Sequence, residues 1–425
     1  FSQLYFTCQN LNKSKKILLG QILITRSGPS NYFSNKFMSF TREEYKKRLD
    51  KVQKLMSEKG IEVLISQDTN NMNYLTGYDA WSFYYSQCVI VHINSDEPIC
   101  FVREQDAGGA YIKTYLQDEN IVKYDEKYIH TWPMHPYDAL INLLKKKGWD
   151  KLKIGVEMDS HYFTAFCYEK LKQGLPNAKI KDCERLINWA RFVKSDAEIN
   201  CMKDAAIISQ QAMKVAMDVI NPGVRQCDAV AEIQRALFKG TPELGGEYAS
   251  ITTLLPTGKG TSASHLTATD QKFISGEATV VELSGVRKRY HCPMARTVQL
   301  GKPEQNKIDA MSATNEALSA GIEAIKPGNT ADDVAQKFWG VLDKYNIKKE
   351  SRTGYSIGIG YPPDWGEHTL NIYKGEKTLL EPNVCFHMIA VMQFGDWGVE
   401  ASESVRVTDK GSELFCNYSR DLHIK

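Results

Sequence analysis

The sequence predicts a two-domain protein of mixed α/β (α+β) class, an N-terminal α/β domain followed by a C-terminal domain made of two similar halves. Three observations predict it. Apolar strand-like runs alternate with helical patterns over about 40–185. A capping box then opens a long second-domain helix at Ser195. A pattern around Asn221-Pro-Gly223 also returns around Lys326-Pro-Gly328.

Thr41-Arg-Glu-Glu44 is a capping box with Phe40 before it. Leu49, Val52, Leu55 and Met56 follow at helical spacing, and Gly60 stops the helix. Ile61–Ile65 is short and apolar, as a buried strand is. Cys88–Ile93, Ile99–Val102 and Ile154–Val156 read the same way, with helical patterns near Tyr137–Lys147 and Phe163–Leu171. Such alternation predicts an α/β domain. Ser195-Asp-Ala-Glu198 is the second capping box, and its helix carries Ile199, Met202, Ala206, Met213, Val215 and Val219.

The repeat sets Pro222 against Pro327 and Asp228 against Asp333, each pair 105 residues apart. Each unit has a helix, a Pro-Gly turn, a second helix and, about 50 residues on, a strand: Gly276–Leu283 and Glu381–Ile389. Two such halves predict a pseudo-two-fold domain with a site at their interface.

Composition narrows the function classes. Of 425 residues, 42% are hydrophobic and 24% charged, as in an ordinary globular protein. A net charge of +2 argues against nucleic acid or an anionic membrane as partner. No stretch approaches the ~20 apolar residues of a membrane span. The ten Cys contain no CxxC, so buried thiols in a reducing, cytoplasmic setting are expected rather than a disulfide or zinc framework. Residues 1–42 lack Asp and Glu but carry Lys13, Lys15, Lys16, Arg26 and Lys36. That pattern also fits an organelle presequence. Residues 1–37 are read as an extension outside the fold, ahead of a natural start at Met38. The expected domains are therefore 38–188 and 189–425.

An α/β domain followed by a pseudo-symmetric one resembles the creatinase/aminopeptidase P/prolidase superfamily, whose catalytic domain has the pita-bread fold. Arg191-Phe-Val-Lys-Ser-Asp-Ala-Glu-Ile199 is similar to its domain junction, and Val407-Thr-Asp-Lys-Gly411 to its C-terminal word. Longer words resemble the ectoine hydrolase family within it: Leu75-Thr-Gly-Tyr-Asp-Ala-Trp-Ser-Phe-Tyr84, Gly155-Val-Glu-Met-Asp159, Leu254-Leu-Pro-Thr-Gly258, Arg289-Tyr-His-Cys-Pro293, Ser351-Arg-Thr-Gly-Tyr-Ser-Ile-Gly358 and Tyr361-Pro-Pro-Asp-Trp-Gly-Glu367. The chain departs from the family pattern at Ser264 and Ala268, where Pro and Trp are usual, and at Ala80, where Gly is usual.

Metal-dependent relatives bind two ions through two Asp, one His and two Glu. The matching positions here are Glu282, Pro293, Tyr361, Ile389 and Ser402 with Glu403 beside it. Pro and Ile offer no donor atom, and a divalent pair wants carboxylate and imidazole. No metal and no cofactor are therefore expected. Creatinase, the superfamily's metal-free member, sets the precedent by hydrolysing a guanidinium group.

The resemblance implies that His265, in the Gly258–Thr269 loop, is a general acid/base, since imidazole titrates near neutrality. Glu282 lies inside the apolar run Ala278–Leu283, where a carboxylate is costly to bury unless paired. It suits an amidinium, which donates two parallel hydrogen bonds. Glu403 is expected as a second catalytic carboxylate in preference to Glu400; residues three apart on a strand face opposite sides. Substrate-binding roles are expected for Asp79, Trp81, Arg352, Tyr355, Tyr361, Asp364, Trp365 and Glu367, with Trp365 over a planar cation and Arg352 on a carboxylate. The family's N-domain loop, here around Tyr78–Tyr84, implies a homodimer. The implied reaction opens the cyclic amidine of ectoine, or of hydroxyectoine, to N-acetyl-2,4-diaminobutyrate. A creatinase-like hydrolase of another guanidine or amidine, a non-catalytic peptidase-like binding module and a metallopeptidase are the rival readings.

Overall fold

The computed structural model describes residues 38–425, so the expected extension 1–37 lies outside the described residues. Its first helix, α1 (Arg42–Glu58), is capped by Thr41, whose hydroxyl accepts from the Glu44 N–H. Gly60 follows at φ +62°, a left-handed position that costs glycine little. β1 (Val63–Ser66), α2 (Thr69–Thr76), β2 (Cys88–His92), β3 (Ile99–Arg103), α3 (Ala107–Lys113), β4 (Ile121–Tyr124), α4 (Pro136–Lys146), β5 (Lys153–Val156), α5 (Ala165–Gly174), β6 (Lys179–Asp182) and α6 (Leu186–Phe192) complete the N-terminal part. Its six strands form one mixed sheet in the order β4-β3-β2-β1-β5-β6. Every strand expected from the sequence in this part is present, with ends shifted by a residue or two.

The C-terminal part opens with α7 (Asp196–Val219), and both halves of the Ser195–Glu198 capping box form. α8 (Gln226–Lys239), β7 (Ala278–Arg287), β8 (Tyr290–Gln299), α9 (Gln305–Glu323), α10 (Ala331–Lys344), β9 (Gly354–Tyr361), β10 (Asp364–Asn371), β11 (Cys385–Phe394), β12 (Trp397–Val407), β13 (Ser412–Leu414) and β14 (His423–Ile424) follow. The repeat is structural. α8 and α10 begin at residues 226 and 331, again 105 apart, and the long hairpins β7–β8 and β11–β12 correspond. The order β13-β12-β11-β9-β8-β14, with β10 on β9 and β7 on β8, joins the two halves into one eight-stranded sheet.

Helices cover one face of that sheet in two apolar cores. One packs α7 and α8 on β7 and β8, the other α9 and α10 on β11 and β12. Gly285 permits the first: a Cβ there would lie 2.2 Å from the Ala205 carbonyl oxygen of α7. The other face is open to side chains from both hairpins and from β9. The two parts of the chain meet through Arg48, whose guanidinium lies 4.2 Å from the Phe40 ring and 3.8 Å from Glu198. Glu198 also accepts from the Tyr290 hydroxyl at 2.6 Å.

Candidate active site

Strand alternation decides which side chains meet on the open face of the C-terminal sheet. Glu282 of β7 pairs in register with Ala295 of β8, and the Thr297 hydroxyl of β8 accepts from the Glu400 N–H of β12 at 2.8 Å. Ala295, small and fully buried, lies in the strand between the two carboxyls and leaves room for them to lean together. β11 contributes His387, whose Nδ1 is 4.0 Å from Glu282 Oε1.

A hydrogen-bonded chain fixes that imidazole. Trp365 Nε1 donates to the Tyr355 hydroxyl at 2.8 Å. The hydroxyl proton is therefore free for His387 Nδ1, 3.0 Å away. With Nδ1 accepting, His387 carries its N–H at Nε2, where Ser402 Oγ lies 2.7 Å away. Burial, with the Arg352 charge adding to it, lowers the His387 pKa to about 3, so this imidazole is neutral.

The carboxyls are shifted the other way. Burial, reinforced by the charges of Glu400 and Asp364, pushes Glu282 well above the ordinary carboxyl range. Burial raises Glu400 to about 7, with the Lys349 ammonium opposing. Lys349 in turn falls to about 8, chiefly through its own burial. Asp364 stays low, at about 2: burial works against it, but His368 at 2.7 Å and the Gly366 N–H at 3.0 Å hold it ionised. Near neutral pH the site thus holds a protonated acid, a second carboxyl poised to titrate, a neutral imidazole and a fixed carboxylate.

The sequence-predicted residues fall in several places. Glu282, Tyr355, Trp365 and Asp364 come together. Trp365 is fully buried, so it braces Tyr355 with its N–H rather than offering an open face. Arg352 is exposed at the rim, its guanidinium 4.4 Å from the centre of the Tyr355 ring, and it donates to Asn371 at 2.5 Å. Glu403 is a correction: it projects to the opposite face, 2.7 Å from Arg296 and 3.8 Å from Arg420, and the carboxyl beside Glu282 is Glu400. Glu367 is another, since its carboxylate pairs at 2.6 Å with Lys194 where both are 1% exposed.

Tyr361 is a third correction. Six residues along β9 from Tyr355, it is about 20 Å farther on. Its hydroxyl donates to Asp79 at 2.6 Å and accepts from Asn73 at 3.1 Å. The β9 hydroxyl beside Glu282 is that of Tyr355. Trp81 is 57% exposed and packs on Phe83 and Tyr248, each with ring centres 4.8 Å apart. His265 is exposed at φ +66°, in the segment that pairs through Leu254 with Glu282. With Leu254 between them, Thr267 is two strand spacings, about 10 Å, from Glu282, and His265 lies two residues farther along.

His387 was missed, although it shows the signal that marked Glu282: one polar residue inside an apolar run, here Cys385–Met392. Lys349 carried no such signal, because it lies in an irregular connection.

The chain matches the model of metallopeptidase family M24 over residues 200–409 and that of the creatinase/prolidase N-terminal domain over residues 48–193. It is 42% identical to the ectoine hydrolase of Halomonas elongata over 91% of this chain and 99% of that one. It is 37% identical to an uncharacterized hydrolase/peptidase of Sinorhizobium fredii, over 92% and 100% of the two chains. A recombinant prolidase from Thermococcus sibiricus shares the fold, with a TM-score of 0.78 at 19% identity over 90% and 99% of the chains.

The M24 match implies a metal centre, which the donors present do not fit. Of the positions that match the family's ligands, Pro293 and Ile389 have no side-chain donor atom, the Tyr361 hydroxyl is engaged by Asp79 and Asn73, and Glu403 is held by Arg296 on the opposite face. Among the described residues, no group of three or more His, Cys, Asp or Glu side chains is placed to hold a metal ion.

Proposed function

The chain belongs to the creatinase and M24 metallopeptidase family of hydrolases, and from that membership we propose that it opens the cyclic amidine ring of ectoine or hydroxyectoine, with no metal ion taking part. One observation carries the reading: a buried carboxyl, Glu282, beside Glu400 and the planar Tyr355 and His387. A small planar cation complements that arrangement. The two N–H bonds of a cyclic amidinium diverge, so one can donate to Glu282 and the other to a second acceptor such as Glu400. The amidinium charge also favours the ionised Glu282 that burial disfavours, so binding and ionisation support each other. Arg352 at the rim suits the substrate carboxylate.

In this mechanism water adds to the amidinium carbon, and the bond from that carbon to one ring nitrogen breaks. Both protons of the water end on the departing nitrogen, the second as the carbonyl forms, giving N-acetyl-2,4-diaminobutyrate with no net proton released; the first must be carried away from the attacking oxygen. His265 carries that proton in the reading its family position supports. A second reading gives the task to Glu400, favoured by its place beside Glu282 and by a pKa of about 7, near working pH. The exposed Trp81 loop supports a homodimer in which the N-terminal part of one protomer covers the site of its partner.

The test is product NMR on chelator-treated protein given ectoine, hydroxyectoine and creatine. Turnover of ectoine, undiminished by the chelator, is the expected result. Hydrolysis of creatine alone would transfer the reading to another guanidine, and absence of turnover with all three would leave a binding module. His265→Ala and Glu400→Gln then identify the proton carrier by which of them abolishes the reaction.

A further inference from the structure

We propose that Lys349 is a specificity-determining residue which, with Arg352, binds the carboxylate of the substrate and so excludes amidines and guanidines that lack one. This role deepens the ring-opening reading and rests on it. The amidinium occupies the open face, and the connection 345–353 between α10 and β9 supplies cations for the other half of the zwitterion.

Register places that connection. Antiparallel pairing sets Tyr355 of β9 beside His387 of β11. The Thr353 hydroxyl donates to the Ile389 carbonyl, and the Ile389 N–H donates to the Thr353 carbonyl, both at 2.8 Å. The chain therefore reaches Thr353 from the Val391 end of β11. His387, Ile389 and Val391 alternate onto the open face, and Val391 pairs across with Glu400 of β12. Ser351, two residues before Thr353, accepts from the Lys349 ammonium at 2.6 Å. The Lys349 carbonyl accepts from the Trp339 indole N–H of α10 at 2.8 Å. Lys349 is thus anchored toward the Glu400 end of the site. Arg352 lies toward the His387 end, its guanidinium 4.4 Å from the centre of the Tyr355 ring.

Among the described residues neither cation has a carboxylate within ion-pair distance. Lys349 bonds to a hydroxyl and Arg352 to the Asn371 side-chain oxygen. Lys349 is half-buried, and burial lowers its pKa although the charge of Glu400 opposes the shift. An ammonium withdrawn from water without a carboxylate beside it is disfavoured, and a bound carboxylate supplies that partner. The shape of the substrate agrees. Ectoine carries its carboxylate on the ring carbon next to one amidine nitrogen, so the N–H given to Glu400 brings the carboxylate toward Lys349.

The test is the initial rate of ectoine opening by the full chain, read by product NMR, with 2-methyltetrahydropyrimidine as competitor. That competitor is the same amidine ring without the carboxylate. In the parent its Ki should exceed the ectoine KM by about tenfold or more. Lys349→Met, checked for a native circular dichroism spectrum, should raise the ectoine KM about tenfold, with kcat and the Ki of the bare ring each within about threefold of the parent. Lys349→Arg, which keeps the charge, should hold KM within about threefold of the parent. A parent that takes both rings equally well would overturn the proposal and leave the ring-opening reading intact. So would a Lys349→Met variant whose KM is unchanged, or one whose KM and Ki rise together. A parent that does not open ectoine would overturn that reading, and the role of Lys349 with it.

Discussion

Glu400 and Glu403 lie three residues apart on one strand, both buried, and their surroundings divide them. On the helix-covered face Glu403 meets Arg296 at 2.7 Å and Arg420 at 3.8 Å. On the open face neither Glu282 nor Glu400 has a Lys or Arg within ion-pair distance among the described residues; Glu282 reaches only the neutral His387, at 4.0 Å. Burial raises Glu403 too, but Arg296 and Arg420 oppose it, and a carboxylate held by guanidinium groups holds structure together. Carboxyls buried without one drift toward neutrality, where small changes in their surroundings move protons. The two faces of one sheet thus separate scaffold from chemistry.

The largest effects should come from exchanging the two kinds of carboxyl for amides. Glu282→Gln should lower kcat/KM by about a thousandfold, some 4 kcal/mol, because it removes the charge that grips the cation. Its melting temperature should hold or rise, since a strained buried acid is replaced by a neutral group of the same shape. Glu403→Gln should do the reverse, costing about 3–5 kcal/mol of stability by leaving Arg296 buried and unpaired, with activity retained in the molecules that fold. Denaturant melts and kinetics on both variants check this. Equal stability losses would erase the distinction between the faces.

The fold was legible because its signals are local or periodic. Capping boxes at Thr41 and Ser195 placed two helices, and the 105-residue offset exposed the repeat. The site was legible only in part. Glu282 stood out as one charge in an apolar run, and alternation separated Glu400 from Glu403 without saying which side faced the open surface. That choice depends on Arg296 and Arg420, which reach Glu403 from residues far along the chain. Tyr355 and Tyr361 lie on one strand, both near glycines, and only the pairing of β9 with β8 and β11 shows which hydroxyl reaches His387. His265 and Lys349 sit in irregular segments, where no period fixes a direction.

The pH dependence of stability gives a smaller but signed effect. The folded-state pKa of Glu400 is raised from 4.5 to about 7, so the native protein holds this proton more tightly than the unfolded chain does. That contribution is fully present below about pH 4.5 and is lost as pH rises through about 7. Glutamine cannot ionise. Glu400→Gln should therefore gain stability relative to the parent across that window, by roughly 3 kcal/mol at its upper end. Paired melts at pH 4.5 and pH 8 read the difference; a constant offset would mean that Glu400 titrates as an ordinary exposed acid.

The smallest effect probes the chain that holds His387. Phenylalanine at position 365 removes the indole donor, and the Tyr355 hydroxyl loses the hydrogen bond that aims its proton at Nδ1. One such bond is worth about 1 kcal/mol, so Trp365→Phe should lower kcat/KM about fivefold. Lost packing around a fully buried indole could lower activity as well, and the single variant does not separate the two causes. Tyr355→Phe does. With the phenol gone, the indole N–H has nothing to orient, and Trp365→Phe should then cost about 1 kcal/mol less than it does in the parent. Additive effects would show that Trp365 serves as packing alone, and that the open face fixes its imidazole by some means other than this chain.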